Sequence, residues 1–223
     1  MTEYSPVNRR PIANVFRKTA QGMTRVCVRA GISPNAVSLF SIVAASAAAV
    51  CFWQASNVPL LLWIAPAFCY VRLYCNMLDG MVALEGGTAS PRGEIFNDFP
   101  DRVSDVLIFV GVAFCGLVTP SLGLLGAVAA VFVAYTGVLG QAVGVQREFS
   151  GIMSKQWRMM ALHAGAWVQA GALAAKWTPN LPLGMTIFDA ALIGILLGCL
   201  QTIFVRLRRI VAAIDRKAAS EPR

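Results

Sequence analysis

The sequence predicts an all-α integral membrane protein with six transmembrane helices preceded by an N-terminal amphipathic interfacial helix. The 223 residues are 57% hydrophobic and 13% charged, with a mean hydropathy of +0.63, which is too apolar for a soluble domain of this size. Six apolar runs follow one another along the chain. Basic residues cluster before the first run and after the last, as expected of segments that stay on the cytoplasmic side beside anionic lipid.

The net charge of +8 is also typical of nucleic-acid-binding proteins. Here, however, the basic residues are not interleaved with aromatic ones and no recognition motif accompanies them. We therefore expect membrane lipid as a partner and no nucleic acid. The six cysteines show no paired spacing, so we interpret them as small buried hydrophobes and not as disulfides or zinc ligands.

The N-terminal region, residues 1–30, is predicted to hold a cytoplasmic tail and a helix from Pro11 to Ala30. Apolar residues recur in this segment at helical spacing, with basic residues between them. That pattern is typical of a helix lying in the membrane interface. The alternative is a solvated helix packed on a neighbouring domain, for which the sequence offers no such domain.

Residues 31–210 are predicted to form the six-helix transmembrane domain, followed by a basic cytoplasmic tail over 211–223. Ser33 and Pro34 give a helix start, with Ser as N-cap and Pro in the first position. The second run begins after Pro59; the other runs cover 35–56, 103–118, 122–145, 159–175 and 185–205. Lys and Arg are almost absent from the connections after runs one, three and five, so we expect both termini in the cytoplasm of a multi-pass protein.

The stretch from Asn76 to Asp105 holds six of the eleven acidic residues and lies between apolar runs. Carboxylates beside hydrocarbon are costly and usually mark a metal, a substrate or a proton path. One helical face carries Asn76, Asp79, Gly80 and Ala83 at i, i+3, i+4 and i+7. A second helix, starting near Pro91, carries Gly93, Asn97 and Asp101 at i, i+4 and i+8.

A short turn joins these two helices, so we expect them to be antiparallel neighbours whose polar faces meet. Oxygen ligands on facing helices suit Mg²⁺ or Mn²⁺, which in turn would hold substrate phosphates. The alternative is a salt-bridged helix hairpin at the membrane surface. The predicted topology, with both termini in the cytoplasm, puts the acidic stretch at the cytoplasmic face.

The stretch resembles the signature of the CDP-alcohol phosphotransferases, Asp-x2-Asp-Gly-x2-Ala-Arg-x8-Gly-x3-Asp-x3-Asp. Here it reads Asn76-x2-Asp79-Gly80-x2-Ala83-Leu84-x8-Gly93-x3-Asn97-x3-Asp101, and every spacing holds. The resemblance implies a bacterial inner-membrane enzyme of phospholipid biosynthesis that could form a homodimer. Such an enzyme moves a phosphatidyl group from a CDP-linked donor, here CDP-diacylglycerol, to an alcohol acceptor and releases CMP.

The resemblance also assigns roles to residues. Asp101 would be the general base for the acceptor hydroxyl, and Asn76, Asp79, Asn97 and Asp101 would hold Mg²⁺ or Mn²⁺. Gly80, Ala83 and Gly93 would leave room for the nucleotide.

Three signature positions differ, since Asn76, Asn97 and Leu84 stand where the family has Asp, Asp and Arg. Asparagine offers a metal a neutral oxygen, so the ligand count survives while negative charge is lost. Asp98, beside Asn97, is a candidate replacement ligand, and Arg92 or Arg72 could replace the missing phosphate contact.

Further basic residues are candidate substrate contacts. Lys155 and Arg158, expected in the loop before the fifth span, either form an anion site for a substrate phosphate or simply reflect the positive-inside rule. Arg72 is either a partner of the carboxylates or a contact to the acceptor. His163 is interpreted as a polar residue of the bundle, and Gly137, Gly140 and Gly144 as sites of close helix packing, within the bundle or across a dimer.

Two other functions remain open at this point. A non-catalytic relative would bind a nucleotide-lipid or scaffold lipid enzymes. A small transporter or channel is disfavoured, because its polar residues would lie along several spans and not in one hairpin.

Overall fold

The computed structural model describes residues 13–88, 91–179 and 181–220, so the predicted tail at residues 1–12 lies outside the described residues. Those ranges contain seven α-helices, one 3-10 turn and no strand, which confirms the all-helical class. The helices are α1 (Ala13–Arg29), α2 (Pro34–Trp53), α3 (Leu61–Glu85), α4 (Pro91–Ala113), α5 (Pro120–Ala142), α6 (Lys155–Ala174) and α7 (Ile187–Ser220), with the 3-10 turn at Pro182–Gly184.

Helix starts follow the local chemistry of the sequence. The Ser33 side chain accepts a hydrogen bond from the Ala36 backbone N–H, and Pro34 occupies the first helical position of α2. Pro91 and Pro120 likewise open α4 and α5. Proline suits these positions because the first backbone N–H groups of a helix have no intrahelical partner.

Four of these helices, α2, α3, α5 and α7, are long and apolar enough to cross a bilayer. The chain is therefore an integral membrane protein. The helices α4 and α6 are more polar, because each carries charged side chains near one end.

Helix α2 lies at the centre of the packing and contacts α3 and α4 extensively. Its alanine-rich face permits this: a Cβ built on Gly111 of α4 would lie 2.6 Å from the Cα of Ala49. The prediction that α3 and α4 are direct neighbours is only partly confirmed, since each packs more extensively on α2 than on the other. Small side chains let the α2 backbone approach more closely than the larger α3 and α4 side chains allow one another.

Helix α1 packs partly on the bundle. Ala20, Thr24 and Cys27 are buried, and Cys27 joins a small apolar cluster with Cys75 of α3. Met23 is exposed. Part of the apolar face of α1 is therefore covered by α3.

Two predicted boundaries also change. Helix α6 begins at Lys155, so Lys155 and Arg158 belong to this helix and not to the preceding loop. Helix α7 continues to Ser220, so most of the predicted tail over 211–223 extends that helix.

Two glycines lie where other parts of the chain approach closely, and the cysteines form no disulfides with one another. A Cβ on Gly140 would lie 2.6 Å from the Gln146 carbonyl oxygen, and a Cβ on Gly137 would lie 3.0 Å from the Arg206 guanidinium. These two glycines therefore allow close packing within one chain. All six cysteines are free, which confirms their interpretation.

Candidate functional site

A buried group of five charged side chains joins α3, α4 and α6. Its members are Arg72, Asp101, Asp105, Lys155 and Arg158, and we call it the charged cluster. Four of them are at most 6% exposed, and the Lys155 side chain is 23% exposed. Burial of this kind costs several kcal/mol per ion unless the charges are paired, and here they are.

Asp105 lies at the centre of the charged cluster and contacts two guanidinium groups. Its Oδ1 accepts a hydrogen bond from Arg72 Nη2 at 2.7 Å, and its Oδ2 accepts one from Arg158 Nη2. The Asp105 side chain is fully buried. One carboxylate therefore bridges α3 and α6.

Asp101, the predicted general base, lies one turn before Asp105 on α4. Arg72 Nη2 donates to its backbone carbonyl at 2.9 Å and lies 3.4 Å from its Oδ1, while Lys155 Nζ donates to its Oδ2. Two cationic side chains thus contact the Asp101 carboxylate. Of the two roles considered for Arg72, the structure shows the one in which it pairs with carboxylates.

Asp79 is buried on α3 beside the charged cluster. Its Oδ2 accepts a hydrogen bond from the Ser38 hydroxyl of α2 at 2.6 Å, and its Oδ1 accepts one from the Gly80 backbone N–H at 2.7 Å. Asp101 and Lys155 are close enough to interact with it electrostatically. A Cβ on Gly80 would meet no atom within 4 Å, so there is open space next to the carboxylate.

The remaining signature residues lie at the half-buried edge of the site. Ala83, Gly93 and Asn97 are partly exposed, as is Asn76, while Leu84 is 48% exposed. The side chain of Arg92 lies outside the described part of the structure.

Asp98, proposed from sequence as a replacement ligand, has other partners. Its two carboxylate oxygens accept hydrogen bonds from Arg147 Nη2 at 2.9 and 3.0 Å. Arg102, one turn further along α4, also donates to it at 3.1 Å. Asp98 therefore ties α4 to the segment after α5.

The chemistry of the four predicted ligands suits a hard divalent cation. Carboxylates on Asp79 and Asp101 and amide oxygens on Asn76 and Asn97 are ligands of the type that Mg²⁺ and Mn²⁺ prefer. The Asn76 Nδ2 atom is buried without a hydrogen-bond partner in the described structure. No group of three acidic, His or Cys side chains suited to a metal occurs among the described residues, which is consistent with two amides in the set.

The segment 143–154, which leads into Lys155, is held by α7. Met153 N–H donates to the Thr202 hydroxyl at 2.9 Å, and Arg206 Nε donates to the Ser150 carbonyl at 2.9 Å. Partial burial alone would raise the pKa of Glu148, but the backbone N–H of Ser150 and the nearby Arg209 outweigh it and leave that pKa below its ordinary value. These bonds set where α6 starts and so where Lys155 lies.

His163 is placed away from the described charged cluster. Its ring packs against Tyr70 and Trp167, with centroids 4.7 and 6.2 Å away. It is 1% exposed, which agrees with a buried residue of the bundle.

Sequence reasoning missed two residues of the site. Asp105 belongs to the acidic stretch and follows Asp101 by four residues, so helical spacing places both on one face. Ser38 gives no comparable signal, because a lone serine in an apolar helix usually bonds its own backbone.

Comparison with known proteins gives bacterial membrane-protein relatives, several of them phosphatidylinositol phosphate synthases. No family model matches the chain. It is 29% identical to the inner membrane protein YnbA of Escherichia coli K12 over 119 residues, which are 53% of this chain and 58% of that protein. It is also 29% identical to a phosphatidylinositol phosphate synthase of Mycobacterium marinum, over 80% of this chain and 75% of that one.

Solved structures give the same picture for the fold. The phosphatidylinositol phosphate synthase of Mycobacterium tuberculosis with CDP-DAG bound superposes with a TM-score of 0.70 at 19% identity, covering 86% of this chain and 94% of that one. The same enzyme has also been solved with manganese and citrate, with a TM-score of 0.69 at 18% identity over 86% of this chain and 88% of that one. The chain therefore shares the fold of an enzyme that has been seen with both a CDP-linked lipid and a divalent metal.

Proposed function

We propose that the protein is a membrane transferase that moves a phosphatidyl group from CDP-diacylglycerol to an alcohol and releases CMP. The observation that supports this best is the charged cluster, which joins α3, α4 and α6 and lies beside Asp79. Buried cations there suit substrate phosphates, and the oxygen ligands suit a divalent ion. The relatives are phosphatidylinositol phosphate synthases, and the variant signature keeps the spacing of the CDP-alcohol phosphotransferases.

Each site residue has a proposed role. Asn76, Asp79, Asn97 and Asp101 would hold Mg²⁺ or Mn²⁺, which when bound neutralises charge on the diphosphate of the donor. Gly80, Ala83 and Gly93 leave space for the nucleotide. Asp98 is not included among the ligands, because Arg147 and Arg102 already hold it.

Asp101 would accept the proton of the acceptor hydroxyl. Lys155 and Arg72 pair with this carboxylate, and a carboxylate within hydrogen-bond reach of the hydroxyl can accept its proton. Attack of the alcohol oxygen on phosphorus forms the new phosphodiester bond, and the bond to CMP breaks with its electron pair going to CMP.

A phosphorylated alcohol is the acceptor that the cations favour. Arg72, Arg158 and Lys155 lie together, and guanidinium groups bind phosphate oxygens in a bidentate manner. The synthases among the relatives are named for a phosphorylated inositol product. Inositol phosphate is therefore the first acceptor to test.

The same proposal includes the topology. All six helices α2–α7 would cross the membrane, with α1 at the interface and with both termini and the site in the cytoplasm. Charge placement supports this arrangement, because the N-terminal segment, the segment 146–158 and the segment after Val205 are basic while the turns near Ser56 and Thr119 are uncharged.

The test is CMP release by the purified full chain. Labelled CDP-diacylglycerol, Mn²⁺ and inositol phosphate, glycerol phosphate, serine or choline should give CMP and one new lipid, and Asp101→Asn should abolish both. If no acceptor yields CMP while the protein still binds CDP-diacylglycerol, the non-catalytic, lipid-binding alternative takes its place.

A further inference from the structure

We infer that Asp105 is a positioning residue, which holds the Arg72 and Arg158 guanidinium groups together so that their remaining N–H groups bind one phosphate group of a substrate. This inference rests on the proposed function. The Asp105 carboxylate itself touches neither substrate nor metal in this assignment. It acts through the two arginines.

The first support is charge. Arg72 is fully buried and Arg158 is 1% exposed, so two like charges lie close together in a region with little water. They would repel one another strongly there. Asp105 contributes one oxygen to each, and its single negative charge compensates that repulsion.

The second support is the set of unused donors. The Nε and Nη1 atoms of both Arg72 and Arg158 are buried without a hydrogen-bond partner. Unsatisfied buried donors are costly, and phosphate oxygens match their geometry. Within the charged cluster three cations face two carboxylates, and each arginine keeps donors that Asp105 does not use.

The third support is connectivity. Arg72 lies on α3 and Arg158 on α6, and Asp105 on α4 contacts both. Both oxygens of Asp105 are occupied and its side chain is fully buried. These contacts suit a residue that fixes the positions of others.

The test compares Asp105→Asn with a matched control, Asp189→Asn. Asp189 is also a buried carboxylate, but it accepts hydrogen bonds from the Thr119 and Thr186 backbone N–H groups in the turns before α5 and α7. Both variants lose a buried negative charge. Only the first should change phosphate binding.

Two readouts are needed on the detergent-solubilised full chain. The first is the rise in melting temperature with added inorganic phosphate, which requires no activity. The second is KM and kcat for CMP release, with CDP-diacylglycerol and inositol phosphate varied separately, so that the phosphate bound by the arginines is assigned to donor or acceptor.

For Asp105→Asn we expect the half-saturating phosphate concentration to rise by about tenfold or more, as loss of a charge-assisted contact predicts. The KM of one substrate should rise by a similar factor while the KM of the other stays unchanged. Asp189→Asn should lower the melting temperature without changing either constant. If Asp105→Asn yields no folded protein, Asp105→Glu, which keeps the charge but displaces the pair, should show the same change in smaller size.

The inference is overturned if Asp105→Asn binds phosphate and both substrates like the unmodified chain, or if phosphate does not raise the melting temperature of the unmodified chain. A different result separates the two proposals. If no acceptor yields CMP but Asp105→Asn still abolishes phosphate protection, the proposed reaction fails and the positioning role stands.

Discussion

Replacing Arg72 by leucine is expected to cost about 3–5 kcal/mol of stability, because it removes one of the two buried cations that pair with Asp105 and leaves the Asp105 Oδ1 atom without its partner. The structure sets this size. Arg72 donates to Asp105 Oδ1 at 2.7 Å and to the Asp101 carbonyl at 2.9 Å, and charge-assisted hydrogen bonds contribute roughly 1.5–3 kcal/mol each. Its third contact, at 3.4 Å, adds little.

The matched control is Arg209→Leu. Arg209 also pairs with a carboxylate, Glu148, but at 3.9 Å and with a side chain that is 63% exposed. Exposed pairs of this kind contribute less than about 1 kcal/mol. The two arginine variants therefore differ in burial and hardly in chemistry.

The assay is denaturant unfolding of each variant in detergent, followed by far-UV circular dichroism. Arg72→Leu should also abolish CMP release, while Arg209→Leu should keep it. A loss of stability for Arg72→Leu no larger than for Arg209→Leu would show that the charged cluster is not a compact buried network, and the reasoning on the site would fail with it.

Three further predictions follow from single positions. Gly111→Ala should destabilise the bundle by about 1–3 kcal/mol, since its Cβ would overlap the α2 backbone. A Cβ on Gly80 meets no atom within 4 Å, so Gly80→Ala should unfold like the unmodified chain but lose activity if the nucleotide lies there. Equal effects of the two variants in both the unfolding and the activity assay would contradict this. Asn76→Asp should bind Mn²⁺ more tightly, by about tenfold, measured by the free Mn²⁺ signal in electron paramagnetic resonance, and an unchanged affinity would remove Asn76 from the ligand set. Because its pKa is lowered in the folded state, Glu148 contributes stability that is present above about pH 4.5 and is lost as pH falls through the folded pKa. Glu148→Gln should therefore reduce the fall in melting temperature at acid pH. An unchanged fall would contradict this prediction.

The sequence predicted much of the site because helical spacing is a local property. Asn76, Asp79, Gly80 and Ala83 lie on one face of α3, as their three- and four-residue intervals require. Asp101 and Asp105, four residues apart, likewise share a face of α4. The sequence does not predict which helix faces contact one another. Asp79 was expected to face α4, yet its carboxylate accepts a hydrogen bond from Ser38 of α2.

The positions of Lys155 and Arg158 could not be predicted for a similar reason. They are 50 residues or more from their carboxylate partners in the chain, and the local sequence suited a loop as well as a helix. What brings them to α4 is the anchoring of segment 143–154 on α7, through pairs such as Met153 with Thr202. A single sequence carries no signal for that pairing.

What the sequence determined by itself is therefore the class of protein, the apolar helices and the register of polar groups along each of them. Those depend on composition and on the 3.6-residue period, which neighbours in the chain decide. Only the tertiary structure decided that Arg72, Asp105 and Arg158 form one buried group and that α2 lies against both α3 and α4. The physical reason is that ion pairing and close packing between helices depend on which surfaces come within a few ångströms, and small side chains such as Gly111 set that distance.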